Sequence, residues 1–207
     1  AAPATAACHR ATFVKKLKVE TVKPNRLKVN LDFNKEELQP TDNQLNGQLQ
    51  VNWLHGAPAQ NLKAIVEMQL RSAGTKFEKY GQYVFDDPTR TISSNPQTVF
   101  EGNVDANGSA AISFKLPHAK VAPGKLVAGF KTRAFEKGGD FSTNNVTIPY
   151  SPFPSYAGIR LPKNKYNENR LEIKKEGTMN FVLLDEDGKP LQNRNLDIGL
   201  YRLEGRW

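Results

Sequence analysis

Between the Gly and Pro residues that punctuate this chain, almost every gap holds one short run in which apolar and polar residues alternate. In Arg26 to Asn34 the apolar set is Leu27, Val29, Leu31 and Phe33, with Lys28, Asn30 and Asp32 on the other beat. A period of two sends successive side chains to opposite faces of an extended strand, so one face is buried and the other is wet. Leu17 and Val19 repeat the pattern, as do Leu49, Val51 and Trp53, and again Ile112, Phe114 and Leu116. No segment carries a convincing helical period. The expectation is an all-β chain of antiparallel sheets with one solvated face each, an architecture that serves binding and scaffolding more often than chemistry.

The alternation predicts strands near 14–21, 26–34, 47–54, 61–71, 82–85, 97–102, 109–116, 125–135 and 145–150. Turn chemistry separates most of them, at Lys23-Pro24-Asn25, Asn46-Gly47, His55-Gly56-Ala57-Pro58, Asp87-Pro88, Asn95-Pro96, Ala106-Asn107-Gly108, Ala122-Pro123-Gly124 and Lys137-Gly138-Gly139. Together they suit one complete sandwich over residues 13–150, with an elaborated connection from Ser72 to Gln97. Pro149, Pro152, Pro154 and Pro162 then mark a semi-rigid connector, because proline removes backbone donors and stiffens the chain. Beyond it, strands near 169–174, 178–185 and 195–203 are too few to close a sandwich. Residues 151–207 therefore read as the start of a second, incomplete β domain, and residues 1–12 as a flexible leader or the tail of a preceding domain. Leu184-Asp185-Glu186-Asp187-Gly188 echoes Val104-Asp105-Ala106-Asn107-Gly108, as two copies of one module would.

Composition narrows the partners. At 207 residues with 38% apolar and 24% charged side chains the chain is that of a folded protein, not a disordered one. No apolar run reaches the roughly 18 residues a membrane helix needs, and the N-terminus lacks the apolar core of an export signal. Thr5, Ala6 and Ala7 precede Cys8, but the apolar stretch of a lipoprotein signal is missing, so any export address lies outside this chain. The net charge of +8 is spread over strands and turns with no basic block, which fits a solvated basic surface and not a nucleic-acid interface. One cysteine, Cys8, cannot make an internal disulfide, so the core must hold the fold.

No catalytic, cofactor-binding or metal-binding residue is assigned, and no cofactor is expected. Asp185-Glu186-Asp187-Gly188 has the spacing that opens a calcium loop, yet Lys189 and Pro190 follow where further ligands belong. A hairpin turn in which Gly188 takes a positive φ accounts for it. His9, His55 and His118 have no Cys, Asp or Glu at ligand spacing. Glu36 and Glu37 sit in a polar loop, where water leaves a carboxylate a poor general acid. Nucleophile elbows, phosphate loops and zinc-protease motifs are absent, so the chain does not read as an enzyme. Asn107-Gly108-Ser109 and Asn145-Val146-Thr147 match the N-glycosylation pattern, which is too common to indicate origin.

Lys23-Pro24-Asn25-Arg26 opens an alternating strand, and Val51-Asn52-Trp53-Leu54-His55-Gly56-Ala57-Pro58-Ala59 follows. This pair resembles the start of a macroglobulin domain in bacterial alpha-2-macroglobulin family proteins, in particular their Bacteroides-like branch. Tyr156-Ala157-Gly158-Ile159-Arg160, Asp187-Gly188-Lys189-Pro190 and Leu200-Tyr201-Arg202-Leu203-Glu204 resemble the next domain of the same array. The match runs from Phe13 to Trp207, and the order and spacing of its pieces give it its specificity. The resemblance implies an Ig-like macroglobulin β-sandwich within a large, exported bacterial protein of the periplasm or cell envelope, anchored to the envelope with a lipid as the candidate anchor. It implies an endopeptidase inhibitor that traps proteases once a bait segment is cut. Many members then capture the protease through a thioester formed in a Cys-x-Glu-Gln setting. Here Cys8 is followed by His9 and Arg10 and no Glu-Gln pair occurs, so the implied role is non-catalytic. The implied partners are neighbouring macroglobulin domains of the same parent chain and, through the full-length protein, host or competitor proteases. The alternative is an Ig-like cell-surface adhesion or glycan-binding module, with Tyr80 and Tyr83 as its exposed contact aromatics.

Overall fold

The alternation from Arg26 onward forms β1 (Leu27–Asp32), in which Leu27, Val29 and Leu31 are buried while Lys28, Asn30 and Asp32 face water. The computed structural model describes residues 25–92, 94–117, 119–163 and 176–199. Along them follow β2 (Gln44–Trp53), β3 (Lys63–Ser72), β4 (Gln97–Asn103), β5 (Ser109–Lys115), β6 (Leu126–Phe135), β7 (Phe141–Tyr150), β8 (Ser155–Arg160) and β9 (Asn180–Asp185). A 3-10 turn at Glu78–Tyr80 is the one helical element among the described residues. Every named strand pairs antiparallel. One sheet has the order β1-β2-β5, a second β4-β3-β6-β7, and β8 pairs with β9.

The first two sheets face each other across one apolar core. Leu45, Leu49 and Val51 from one sheet meet Val66, Ala128, Phe130 and Ala134 from the other, all buried. The Phe33 ring lies 4.6 Å from that of Phe130 and 6.2 Å from that of Phe114, so aromatic packing crosses the layers. The open sides are closed by polar contacts. Ser142 Oγ on β7 accepts the backbone N–H groups of Arg26 and Leu27, each at 3.1 Å, and Asn144 Nδ2 donates to the Val29 carbonyl at 2.7 Å. These bonds occupy backbone groups that an edge strand otherwise leaves unpaired.

The two acidic turns share one construction. Asp105 Oδ1 accepts from the N–H groups of Asn107 and Ser109, and Asp185 Oδ1 accepts from those of Asp187 and Lys189. Each ends on a left-handed glycine, Gly108 at φ 75° and Gly188 at φ 82°, as the hairpin reading requires.

Several expectations need correction. Asn46-Gly47 is not a turn but lies within β2. A Cβ on Gly47 would stand 2.4 Å from the Phe33 ring, so the glycine makes room for an aromatic. Residues 82–85 form no strand; within them Val84 makes an isolated antiparallel bridge to Ile159. β7 begins at Phe141, four residues before the expected start, because Ser142, Thr143 and Asn144 are recruited to tie down β1 and give no apolar beat. The Pro-rich stretch holds a strand, β8, between Pro154 and Leu161. Residues 195–199 are irregular, against an expected strand over 195–203. The leader over 1–12, the strands over 14–21 and 169–174, Cys8, His9 and His118 lie outside the described residues.

Candidate functional site

Among the described residues no catalytic constellation is assembled, and the most organised polar and aromatic site there is a seam where the β8-β9 pair meets the sandwich, with Lys125 at its centre. Lys125 directly precedes β6, and its backbone is held on both sides. Its N–H donates to Thr75 Oγ1 at 2.7 Å, and its carbonyl accepts from the Ala73 N–H at 3.0 Å. The Thr75 N–H in turn donates to both Asp86 carboxylate oxygens, at 3.0 and 3.1 Å. Gly124 permits this, because a Cβ there would lie 2.0 Å from Asp86 Oδ1 and 2.2 Å from Thr75 Oγ1.

The Lys125 ammonium joins four segments. It pairs with Glu37 Oε1 at 3.3 Å and donates to the Glu186 carbonyl at 2.9 Å. It also stands 5.2 Å from the Phe77 ring centroid and 5.9 Å from that of Tyr156, within cation–π range. Glu37 is shared, since Ser151 Oγ donates to the same Oε1 at 2.5 Å. The next residue, Leu38, is fully buried and bridged to the end of β7, donating to the Pro149 carbonyl at 2.8 Å and accepting from the Ser151 N–H at 2.9 Å.

Beneath the ammonium lies a second apolar cluster of Phe77, Phe85, Tyr156 and Leu184, with Tyr80, Tyr83 and Val182 packed against it. Phe77 meets Phe85 edge-on at 4.9 Å and Tyr156 at 5.9 Å. Two glycines shape the fit. A Cβ on Gly158 would stand 2.4 Å from Phe85, and one on Gly188 would stand 2.7 Å from Phe77. Burial pushes the Tyr156 phenol above its usual range; the nearby Ser151 hydroxyl and Phe153 backbone oppose that shift without reaching full hydrogen-bond geometry. On the outer side of β8, Val84 and Ile159 exchange backbone hydrogen bonds at 2.8 and 2.9 Å. Arg160 donates to Gln82 Oε1 at 3.1 Å and stacks over Tyr83 at 5.3 Å. The long connection from β3 to β4 is therefore a saddle on which the β8-β9 pair sits.

The fold and the seam can be set beside known proteins. A profile of the bacterial alpha-2-macroglobulin MG5 domain matches residues 25–152. The chain belongs to the bacterial alpha-2-macroglobulin family. It is 22% identical over 193 residues to the alpha-2-macroglobulin of Rickettsia conorii, covering 90% of this chain and 10% of that relative. To the alpha-2-macroglobulin homolog of Yersinia pestis it is 25% identical over 185 residues, covering 88% and 9%. The chain thus spans about a tenth of the length of the curated relatives it matches. Among solved structures, Escherichia coli alpha-2-macroglobulin in its native conformation aligns with a TM-score of 0.55 at 19% identity, over 81% of this chain and 11% of that one. The same protein activated by porcine elastase aligns at 0.57 with 20% identity, over 81% and 15%. These likenesses establish the macroglobulin fold, and the coarse role is that of a structural domain within an alpha-2-macroglobulin-like protein.

In this macroglobulin domain the residues weighed from sequence fall apart from one another. His55 is stacked beside Trp53 at 6.3 Å, at the end of the sandwich opposite the seam. Glu36 and Glu37 separate in role: Glu36 is exposed, whereas Glu37 belongs to the seam. Tyr80 and Tyr83 are half-buried and meet each other edge-on at 5.8 Å, so they are not the free aromatics a glycan platform requires. Among the described residues, no group of three or more His, Cys, Asp or Glu is arranged to hold a metal ion, and no helix is long and apolar enough to cross a membrane. Lys125 escaped the sequence reading because its partners are distant along the chain and leave no local pattern; the Pro123-Gly124 pair before it was the one available signal.

Proposed function

We propose that this segment is a non-catalytic, orientation-fixing element of a bacterial protease trap. Residues 13–150 form one macroglobulin domain, and residues 151–207 begin the next. The carrying observation is the seam, where Lys125, Glu37, Ser151, Phe77 and Tyr156 bind the sandwich to the β8-β9 pair across only four linking residues, Ser151 to Pro154. Two prolines in that link and a buried Ser151 leave little freedom for independent tumbling. A trap that closes on an attacker needs such joints, since a local cut becomes a global shift only when rigid bodies move together. The Escherichia coli relative activated by porcine elastase supports a protease as the trigger in this chain's parent protein. The parent acts in the periplasm or cell envelope on host or competitor proteases.

The test is to mix the full-length parent with elastase and follow both residual protease activity on a large substrate and the parent's compaction by small-angle scattering. Inhibition with compaction is expected. Piecemeal degradation without either change overturns the trap reading.

A further inference from the structure

The outward face of β4-β3-β6-β7 carries a shallow trough of about 300 Å³ centred on Gly129, with Glu67, Gln69, Arg71, Lys131, Asn145 and Thr147 around it. Gly129 sits on the outward beat of β6, where every other position carries a side chain. The Arg71 guanidinium leans into the gap, one terminal nitrogen 3.1 Å from the point a β-carbon would occupy. The register pairs Gly129 with Gln69 and Thr147, and Lys131 with Glu67 and Asn145, so Arg71 and Lys131 approach the gap from opposite ends of one strand pair.

The charges on this face do not balance. Its two carboxylates are both engaged, Glu67 with Arg133 at 2.8 Å and Glu101 with Lys63 at 2.6 Å. Among the described residues neither Arg71 nor Lys131 forms an ion pair; Glu67 lies directly across from Lys131 but is turned to Arg133. Gln69 is oriented by donating its side-chain amide to the Ser94 carbonyl at 2.9 Å. An arginine fork and an ammonium converging on a concave surface complement a carboxylate, which arginine takes with two parallel hydrogen bonds. The trough is too open to enclose a small molecule, which needs most of its surface buried to bind well. A polypeptide laid along the strands does not need that enclosure, because contacts on either side of one anchored side chain add to it.

We infer that the Gly129 trough docks an acidic extended polypeptide segment, with a Glu or Asp side chain seated between Arg71 and Lys131. The occupant is a protein carboxylate, and anionic glycan or polyphosphate binding is an outcome that contradicts it.

The experiment measures anisotropy of a fluorescein-labelled peptide of alternating Glu and Thr, with its Gln-Thr counterpart as control, against the full 207-residue chain. The acidic peptide is expected to bind and the neutral one not. R71Q/K131Q should weaken binding about tenfold or more, the scale of a lost charge-assisted pair. K28Q/K115Q, which removes two exposed cations of the opposite sheet, should leave binding unchanged. G129V keeps both cations and fills the trough, so it should also weaken binding, separating shape from net charge. Thermal melts confirm that each variant is folded, and R71Q/K131Q carries the test if G129V is not. Equal loss in K28Q/K115Q, no binding of the acidic peptide, or a heparin oligosaccharide that binds as tightly and is weakened just as much by R71Q/K131Q would each overturn the inference.

Discussion

At the scale of single residues, the positions that tolerate least change are those that make space or satisfy backbone donors. Gly158→Ala puts a methyl group where Phe85 already lies, 2.4 Å from the new carbon. Overpacking of this kind costs about 1–3 kcal/mol, so its melt should fall clearly below that of Gly138→Ala, where nothing stands within 4 Å. Ser142→Ala removes the acceptor of one buried and one half-buried N–H group and should cost about 1–3 kcal/mol, read by denaturant titration. A pH effect follows from Asp42. Burial acts to raise its pKa, but the Lys35 ammonium at 2.5 Å and the Gln39 N–H outweigh it and hold the carboxyl below its usual range. A depressed folded pKa contributes stability above the unfolded value, and that contribution is lost as pH falls through the folded one. The protection factor of the Gln39 amide, taken against its intrinsic exchange rate at each pH, should therefore fall on acidification below about pH 4. Asp42→Asn should already exchange fast at neutral pH and lose that dependence.

At the scale of elements, the seam should respond to loss of the Lys125 charge without loss of the sandwich. Lys125→Met keeps the apolar stem and removes the ammonium from Glu37, Glu186, Phe77 and Tyr156. A loss of about 1–2 kcal/mol is expected, seen as faster hydrogen exchange in β8 and β9 with β2 and β6 unchanged. Lys125→Arg should retain most of the protection. Tyr156 adds an alkaline limit: its phenol is raised by burial, so the stability it contributes is present below its unfolded pKa near 10 and lost as pH rises beyond it. Tyr156→Phe should blunt the weakening of β8 protection in that window.

The elements also mark how far sequence reading reached. Strands with a plain two-residue period, such as β1 and β6, were legible because one buried face imposes that period. β8 was hidden by Pro152 and Pro154, which read as linker although both precede the strand. The first half of β7 was hidden because its side chains hydrogen-bond to β1 instead of alternating. Gly47 signalled a turn by composition and proved to be an aromatic seat by packing. The seam was invisible for a different reason: Lys125 and Glu37 are 88 residues apart, and only the sheet order brings them together.

At the scale of the whole molecule, the aromatic saddle belongs to the sandwich in sequence and to the β8-β9 pair in packing. A chain ending after residue 152 should keep its first core, since that cluster contains no residue of β8 or β9. It should, however, expose Phe77, Phe85 and their half-buried neighbours Tyr80 and Tyr83. Such a truncated chain is expected to melt cooperatively yet self-associate in size-exclusion chromatography, whereas the 207-residue chain should be less prone to do so. A truncated chain that stays monomeric, with the 3-10 turn at Glu78–Tyr80 fully protected from exchange, would mean the saddle is self-supporting.

The four-residue passage from Ser151 to Pro154 has a consequence for force. Because it is short, stiffened by proline and clasped at Ser151 by Glu37 and Leu38, a pull on the β8-β9 pair cannot be absorbed by slack. It arrives as torque on the end of β7, the strand that also clamps β1 through Ser142 and Asn144. Lengthening that passage by a few glycines would leave both folded parts intact and uncouple them, as a slipping clutch uncouples an engine from its wheels.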